Sequence, residues 1–231
     1  MSGHDLVFMG APGSGKGTQA RLLVDSGGYV QLATGDLFRD HLRRKTDLGT
    51  LAQSFMDRGE YVPDEVTVKM VRACLGEIGS GTRVVFDGFP RTVAQAIALD
   101  GLLAERRRRL ATVLLFEVPR ERLLERLGGR ATCSDCQQMY SLAIRPPKRE
   151  GVCDRCGGPV VATARPDDSP DVVGRRLEVY DEQTRPVVEH YERRGVLRHI
   201  PGEGSIDEMF ARVRAAITDV DSSFPPNGAA A

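Results

Sequence analysis

The sequence contains no tryptophan, and aromatic residues make up only 6% of its 231 positions. Basic and acidic residues number 32 each, so the chain has no net charge at pH 7 and no overall basic field that would attract nucleic acid. No run of about 18 apolar residues is present, which argues against a transmembrane helix. We therefore expect no membrane or nucleic-acid partner, and any anion-binding site has to be local.

The first five residues, MSGHD, lack the basic and apolar segments of a secretory signal peptide, so we expect a cytoplasmic protein. In that reducing environment, the five cysteines are expected to be thiols or metal ligands rather than disulfides. The length allows one large domain with insertions or two small ones, and a hydrophobic content of 41% is enough for a buried core. Nothing indicates an oligomer, so we expect a monomer.

Residues 10–18, GAPGSGKGT, form a glycine-rich segment between an apolar run and a helical pattern. Glycines let such a loop turn its backbone N–H groups toward an anion, the following helix N-terminus adds its dipole, and Lys16 supplies a positive charge. The usual phosphate-loop pattern has Ser or Thr directly after the lysine, whereas here Gly17 precedes Thr18. The alternative is an ordinary strand–helix turn without a ligand.

Short apolar runs alternate with helical patterns along the chain. This alternation predicts an α/β fold in which a parallel sheet is covered by helices on both faces and ligands bind at the carboxyl ends of the strands. The predicted strands, each buried on both faces, are residues 6–9, 29–32, 84–86, 112–118 and 196–200. A capping box at residues 205–208 predicts the start of the last helix, and residues 222–231 are predicted to be a disordered tail.

Four cysteines form two Cys-x-x-Cys pairs, Cys133 with Cys136 and Cys153 with Cys156. Their spacing is typical of tetrahedral zinc coordination by thiolates, and the surrounding segments have few large apolar residues that could stabilise a small lobe. Since four cysteines leave no position for water, the zinc is expected to be structural. The alternatives are a redox dithiol pair or four unrelated thiols. Cys74 is expected to be an ordinary buried thiol.

Three separated segments resemble the signature segments of the adenylate kinase family. They are residues 10–18, residues 33–36 (ATGD) and residues 87–91 (DGFPR). The family's loop ends Gly-Lys-Gly-Thr, which accounts for Gly17. The resemblance extends from Leu6 to about Val220, and the cysteine lobe resembles the zinc-bearing LID of the long bacterial form. It implies a P-loop NTPase-like fold with a five-stranded parallel sheet, an AMP-binding insertion and a small zinc-bearing LID.

The resemblance also implies an activity and a domain organisation. The activity is reversible, Mg²⁺-dependent transfer of the terminal phosphate of ATP to AMP, which gives two ADP and maintains the balance of adenine nucleotides. Zn²⁺ would be bound once per chain. The implied domains are a CORE at 1–32, 77–125 and 166–221, the AMP-binding insertion at 33–76, the LID at 126–165 and the tail at 222–231.

The resemblance assigns site residues in three groups. The ATP-binding group is Gly13, Ser14, Gly15, Lys16, Gly17, Thr18, Arg126, Arg130, Met139, Tyr140 and Gly204. The AMP-binding group is Thr34, Gly35, Arg39, Glu60, Tyr61, Val62, Gly88, Phe89, Pro90, Arg91, Gln95, Arg165 and Arg176. The catalytic group is Lys16, Arg91, Arg126, Arg130, Arg165 and Arg176. Gln95 would read the base edge of AMP.

These residue types suit phosphoryl transfer, which needs alignment and neutralisation of charge more than covalent chemistry. Planar guanidinium groups provide both, and the spacing of four between Arg126 and Arg130 predicts one shared helix face. Asp87, at the end of a predicted strand, would order water around magnesium, and no general base is inferred. For any one arginine the alternative is a surface ion pair.

Two charged runs are interpreted without a catalytic role. Residues 106–109 are four arginines at the expected end of a helix, where cations suit the helix dipole and solvent. Asp167 and Asp168 are interpreted as ion-pair partners that set the geometry of a LID hinge, rather than as metal ligands.

Two other functions remain open at this point. The first is a kinase for another nucleoside monophosphate. The second, from a different class, is a zinc-ribbon module that binds nucleic acid. The zero net charge argues against the second function, as does the absence of aromatic residues interleaved with the basic ones around the cysteines.

Overall fold

The computed structural model of the chain describes residues 4–136, 138–142, 145–162 and 169–223. Five strands form a parallel sheet: β1 (His4–Gly10), β2 (Tyr29–Ala33), β3 (Arg83–Asp87), β4 (Arg109–Glu117) and β8 (Leu197–Pro201). Their spatial order is β2-β3-β1-β4-β8. The predicted fold class and all five predicted strands are confirmed. Strand β4 begins at Arg109 rather than at residue 112, because Arg109 pairs with His4 at the start of β1.

Helices cover both faces of this sheet. The helices in the described part of the chain are α1 (Lys16–Asp25), α2 (Thr34–Arg43), α3 (Asp47–Met56), α4 (Asp64–Glu77), α5 (Val93–Glu105), α6 (Arg120–Gly128), α7 (Pro170–Val179), α8 (Arg185–Glu192) and α9 (Ile206–Ser223). A π-helical turn, Tyr180–Thr184, joins α7 to α8. None of the helices in the described part of the chain has the length and apolar character needed to cross a bilayer.

The alternation of side chains along β1 explains its continuous apolar run. Leu6 and Phe8 belong to a core shared with α1 and α9, whereas Val7 and Met9 belong to a core shared with α4, α5 and α8. Both faces of an inner parallel strand are therefore buried, as predicted. The prediction is wrong for the outermost strand β8, where the successive residues Arg198 and His199, which point to opposite faces of the strand, are both exposed at the edge of the sheet.

Two smaller regions have cores of their own. In the first, Phe38, Ala52, Val62 and Met70 bring together α2, α3 and α4. The second is an antiparallel sheet of β5 (Arg130–Cys133), β6 (Met139–Ser141) and β7 (Val160–Ala162), in the order β6-β5-β7. The buried residues of these small cores are distinct from those of the two cores of the main sheet, although Leu37 and Cys74 pack against both the first small core and the main one.

The last helix begins as its sequence predicts. The backbone N–H of Ser205 donates to Glu208 Oε2 at 2.7 Å, and the Glu208 N–H donates to Ser205 Oγ at 3.2 Å, which is the reciprocal pattern of a capping box. Helix α9 continues to Ser223, so it extends into the segment predicted as a tail. The rest of that segment, 224–231, lies outside the described residues.

A buried ion pair links a residue of β1 to the residue directly before β4. It corrects the interpretation of residues 106–109. Arg108 is 6% exposed, and its guanidinium donates to both carboxylate oxygens of the fully buried Asp5, at 2.6 and 2.7 Å. Asp5 also accepts from the Val84 N–H at 2.8 Å, and Arg108 donates to the Thr82 carbonyl at 2.6 Å. The run of four arginines is therefore not uniformly exposed, because β1 brings a carboxylate beside its third member.

We expect Arg108→Met to lower the free energy of unfolding by about 3–5 kcal/mol, because it leaves the Asp5 carboxylate buried without its cation. Urea denaturation at pH 7 measures this loss. The matched control is Arg106→Met at an exposed position of the same run, which should change stability by less than about 0.5 kcal/mol. Equal losses in the two variants would contradict the structural role of the pair.

Candidate functional site

A cleft lies at the carboxyl ends of β1, β2 and β3, where a parallel sheet of this type places its ligands. Among the described residues predicted to bind the two nucleotides, the cleft is lined by all except Ser14, Phe89 and Pro90. Those three are buried behind its wall. Arg165 lies outside the described residues, as do Asp167 and Asp168. The cleft therefore brings together side chains from the main sheet and from both smaller regions.

The glycine-rich loop forms one wall of this cleft and leads into α1. Gly13 and Gly15 have φ values of 85° and 92°, in the left-handed region that favours glycine. A Cβ atom at Gly13 would also lie 3.2 Å from the carbonyl oxygen of Leu123 on α6. The loop conformation thus depends on glycine for both backbone and packing reasons, and the N-terminus of α1 borders the cleft.

Lys16 is the first residue of α1, and its ammonium donates to the Ala11 carbonyl at 3.3 Å. Burial lowers the pKa of Lys16 to about 8, because it disfavours the charged form. The Asp87 carboxylate opposes this shift in pKa, whereas Arg91 and nearby arginines add to it. The ammonium therefore lies among positive charges that a bound polyphosphate would neutralise.

Asp87 explains why glycine follows Lys16 in this loop. A Cβ atom at Gly17 would lie 3.0 Å from Asp87 Oδ2, so a larger residue would press on the carboxylate. Burial raises the pKa of Asp87, and the nearby Lys16 ammonium opposes that rise. Sequence reasoning missed Gln31, whose Nε2 donates to Asp87 Oδ2 at 3.0 Å. The only indication of Gln31 in the sequence is that it is a polar residue within the apolar run of β2.

Arg126 and Arg91 are oriented by backbone carbonyl groups. Arg126 Nη2 donates to the Gly202 carbonyl at 2.8 Å, and Arg91 Nε donates to the Gly88 carbonyl at 2.8 Å. The Arg91 guanidinium also lies over the Tyr61 ring, 4.9 Å from its centroid. These contacts leave other N–H groups of each guanidinium available to an anion.

The prediction that Arg126 and Arg130 share a helix face is wrong. Helix α6 ends at Gly128, and Arg130 begins β5. Both side chains still line the cleft, as does Arg176 of α7. Arg39 of α2 forms an ion pair with the Asp36 carboxylate.

Two further residues that sequence reasoning missed hold the far end of the cleft. Thr184, in the π-helical turn, donates to the Arg91 carbonyl at 2.9 Å and is hydrogen-bonded to the Tyr61 hydroxyl at 2.8 Å. Asp64, at the start of α4, accepts from Gln95 Nε2 at 2.6 Å. Neither residue belongs to a recognisable motif. Both act through contacts between segments distant in sequence, which a local pattern does not reveal.

The four predicted metal-ligand cysteines lie together in the small antiparallel region, away from the lining of the cleft. Their sulfur atoms all lie within 4.8 Å of one another, and two of the separations are 3.5 and 3.6 Å. A tetrahedral zinc–thiolate site with bonds of about 2.3 Å has sulfur atoms about 3.8 Å apart, so the cluster fits this metal. Tyr140 and the Arg155 N–H donate to Cys153 Sγ, each at 3.4 Å, which favours a thiolate.

Comparisons with known proteins agree with this arrangement. The family model described as adenylate kinase matches residues 8–196. An adenylate kinase of Geobacillus sp. (strain WCH70) is 46% identical over 210 residues, which cover 91% of this chain and 96% of that protein. Adenylate kinases of Thermodesulfovibrio yellowstonii and Carboxydothermus hydrogenoformans are each 46% identical over 212 residues, which cover 92% of this chain and 98% of each relative.

We expect inorganic tripolyphosphate to raise the pKa of Lys16 above its free value of about 8, because a bound anion favours the charged ammonium. In the free protein part of Lys16 is neutral at pH 8, so Lys16 takes up a proton on binding at pH 8 but not at pH 6. Carbon-13 NMR of the lysine side chains follows the titration, and Lys16→Met identifies the signal. An unchanged titration in the presence of saturating anion would contradict this interpretation of the loop.

Proposed function

This chain belongs to the adenylate kinase family, and from that premise we propose how the cleft divides between two nucleotides. The reaction is the reversible transfer of the terminal phosphate of ATP to AMP, which gives two ADP. The observation that supports the division is that the residues predicted for donor and acceptor line one continuous cleft, which the phosphate loop and Gln95 both border.

The donor side of the proposed division is built around the loop at residues 13–18. Its backbone N–H groups and the Lys16 ammonium hold the ATP phosphates, since both the loop and the start of α1 border the cleft. Met139 and Tyr140 on β6 line the cleft from the small antiparallel region, and Gly204 lines it from the segment before α9, so these three flank the donor base.

The acceptor side is formed by the region of α2, α3 and α4 together with the segment after β3. Arg39 and Arg91 bind the phosphate of AMP, and Thr34 and Gly35, the first two residues of α2, line the cleft with them. The proposed surface for the base is the backbone of residues 60–62, with Gln95 at its edge. Gly88 leaves space for the acceptor phosphate, while Phe89 and Pro90 support the wall from behind.

At the point of transfer, Lys16 and the arginines at positions 91, 126, 130 and 176 neutralise charge on the phosphoryl oxygens, together with Arg165 by the family resemblance. No side chain is needed as a general base. Adenylate kinases generally use Mg²⁺, which lowers the charge on the donor phosphates, and the buried Asp87 carboxylate, held by Gln31, suits a water-mediated contact to it. Enclosure by the two smaller regions would exclude water.

The domain boundaries predicted from the sequence are proposed on the same basis. The separate cores of α2 to α4 and of β5 to β7 support two insertions, at 33–76 and 126–165, in a CORE that carries the main sheet. The cysteine cluster belongs to the second insertion. We also propose that the enzyme works as a cytoplasmic monomer, as the sequence predicts. A zinc-ribbon nucleic-acid module is not supported, since the cysteine lobe is one part of a kinase chain.

The acceptor assignment predicts that AMP is used far more efficiently than GMP, CMP or UMP. A steady-state assay of phosphate transfer from ATP to each monophosphate measures this preference. Equal rates with CMP or UMP would contradict the acceptor assignment.

Lys16→Met should lower turnover with AMP about 100-fold or more, because the ammonium contacts charge that develops during transfer. Lys69→Met, at an exposed position of α4, is the matched control and should turn over normally.

The cysteine cluster predicts about one zinc per chain with a stabilising role only, because four thiolates complete its coordination shell. Cys153→Ser and metal chelation should both lower the melting temperature, while phosphoryl transfer persists at low temperature. Cys74→Ser, which changes a cysteine far from the cluster, should keep its metal. Two results would contradict this role: a metal-free protein indifferent to chelator, or complete inactivation of protein that stays folded.

A further inference from the structure

The side-chain amide of Gln95 is held at both ends by the protein. Its Oε1 accepts from the backbone N–H of Arg91 at 2.8 Å, and its Nε2 donates to Asp64 Oδ1 at 2.6 Å. Gln95 is only 1% exposed, so water does not compete for these bonds. The carboxylate of Asp64 is itself fixed, because its Oδ2 accepts from the Thr92 hydroxyl at 2.7 Å.

These partners permit one orientation of the amide. Turning it over would place the amide oxygen against a carboxylate oxygen of Asp64 and the NH₂ group against the Arg91 N–H. Both contacts would be repulsive, and both polar groups would lose their hydrogen bonds in a buried site. Thr92 contributes further, since its hydroxyl also accepts from the Gln95 backbone N–H at 3.1 Å and anchors the start of α5.

The fixed amide still has hydrogen-bonding capacity on its cleft side. An amide oxygen has two lone pairs and an amide nitrogen has two hydrogens, and the protein contacts use one of each. Gln95 lines the cleft, so the remaining acceptor and donor face a ligand in a set order. The adenine edge, an N6 amino donor beside an N1 acceptor, matches that order. A 6-oxopurine has an O6 acceptor and an N1–H donor, which is the reverse.

We propose that Asp64 is a positioning residue for acceptor selectivity, which makes the site reject 6-oxopurine monophosphates by locking the Gln95 amide against rotation. This inference rests on the proposed role of Gln95 at the base edge of the acceptor. On this proposal Asp64, which does not itself contact the base, determines the choice between two bases of nearly equal size.

The test compares AMP with inosine monophosphate as acceptors, since hypoxanthine differs from adenine in only the hydrogen-bonding edge at issue. In Asp64→Asn, the introduced amide can either accept from Gln95 Nε2 or donate to Gln95 Oε1, so the lock is weakened. The ratio of kcat/KM for AMP to kcat/KM for inosine monophosphate should fall about tenfold or more, mainly through KM. The KM for ATP should stay unchanged.

The matched control is Glu65→Gln, which removes the same charge from an exposed side chain in the same first turn of α4. It should keep the wild-type ratio, which separates the lock from an effect on the helix terminus. If Asp64→Asn is too unstable to assay, Asp64→Ser replaces it, since serine also suits a helix N-terminus but presents no carboxylate. An unchanged ratio in the assayed Asp64 variant would overturn the proposal.

A double-mutant cycle distinguishes this proposal from the proposed base-reading role of Gln95, on which it rests. Gln95→Ala should abolish the preference for AMP, and adding Asp64→Asn to it should have no further effect on the ratio. If Gln95→Ala keeps the preference, the base-reading assignment fails. If Gln95→Ala loses the preference but Asp64→Asn changes the ratio equally with or without Gln95, the assignment stands and the lock is overturned.

Discussion

The concentration of positive charge at one edge of the main sheet is the constraint on which the rest of the site depends. A chain with no net charge places Lys16 and several arginines around one cleft, where burial lowers the pKa of Lys16 to about 8. Such a cluster is tolerated because the fold fixes its members before any ligand binds: α1 carries Lys16, and backbone carbonyls orient Arg91 and Arg126. Because these like charges repel one another, a polyphosphate that neutralises them binds in the cleft more favourably than water does.

The acidic residues of the cleft moderate this charge without cancelling it. Asp87 lies close to Lys16 and is oriented by Gln31, and a side chain at position 17 would press on its carboxylate. Burial raises the pKa of Asp87, whereas the neighbouring ammonium favours its ionised form. The glycine that distinguishes this loop from the usual Lys-Ser/Thr pattern therefore leaves room for the acid at the end of β3.

Features that arise from neighbouring residues could be predicted from the sequence, and features that arise from distant residues could not. The strands, the phosphate loop and the capping box of α9 each depend on a short pattern, while the nucleotide residues came from the resemblance to a family. The buried Asp5–Arg108 pair and the Thr184–Arg91 contact join residues 103 and 93 positions apart. Nothing local distinguishes Arg108 from its three arginine neighbours, because only the sheet brings Asp5 beside it.

The arginines show how the site combines fixed geometry with free charge. Backbone carbonyls of Gly88 and Gly202 orient Arg91 and Arg126, and Thr184 holds the Arg91 backbone in turn. A neutral carbonyl accepts a hydrogen bond and leaves the guanidinium charge uncompensated, whereas a carboxylate would neutralise much of that charge. The guanidinium charge, which the nearby Asp87 and Glu203 carboxylates moderate from a distance, then acts on the phosphoryl group during transfer, when negative charge spreads over its oxygens. Orientation by neutral acceptors therefore gives alignment without weakening the electrostatic contribution to catalysis.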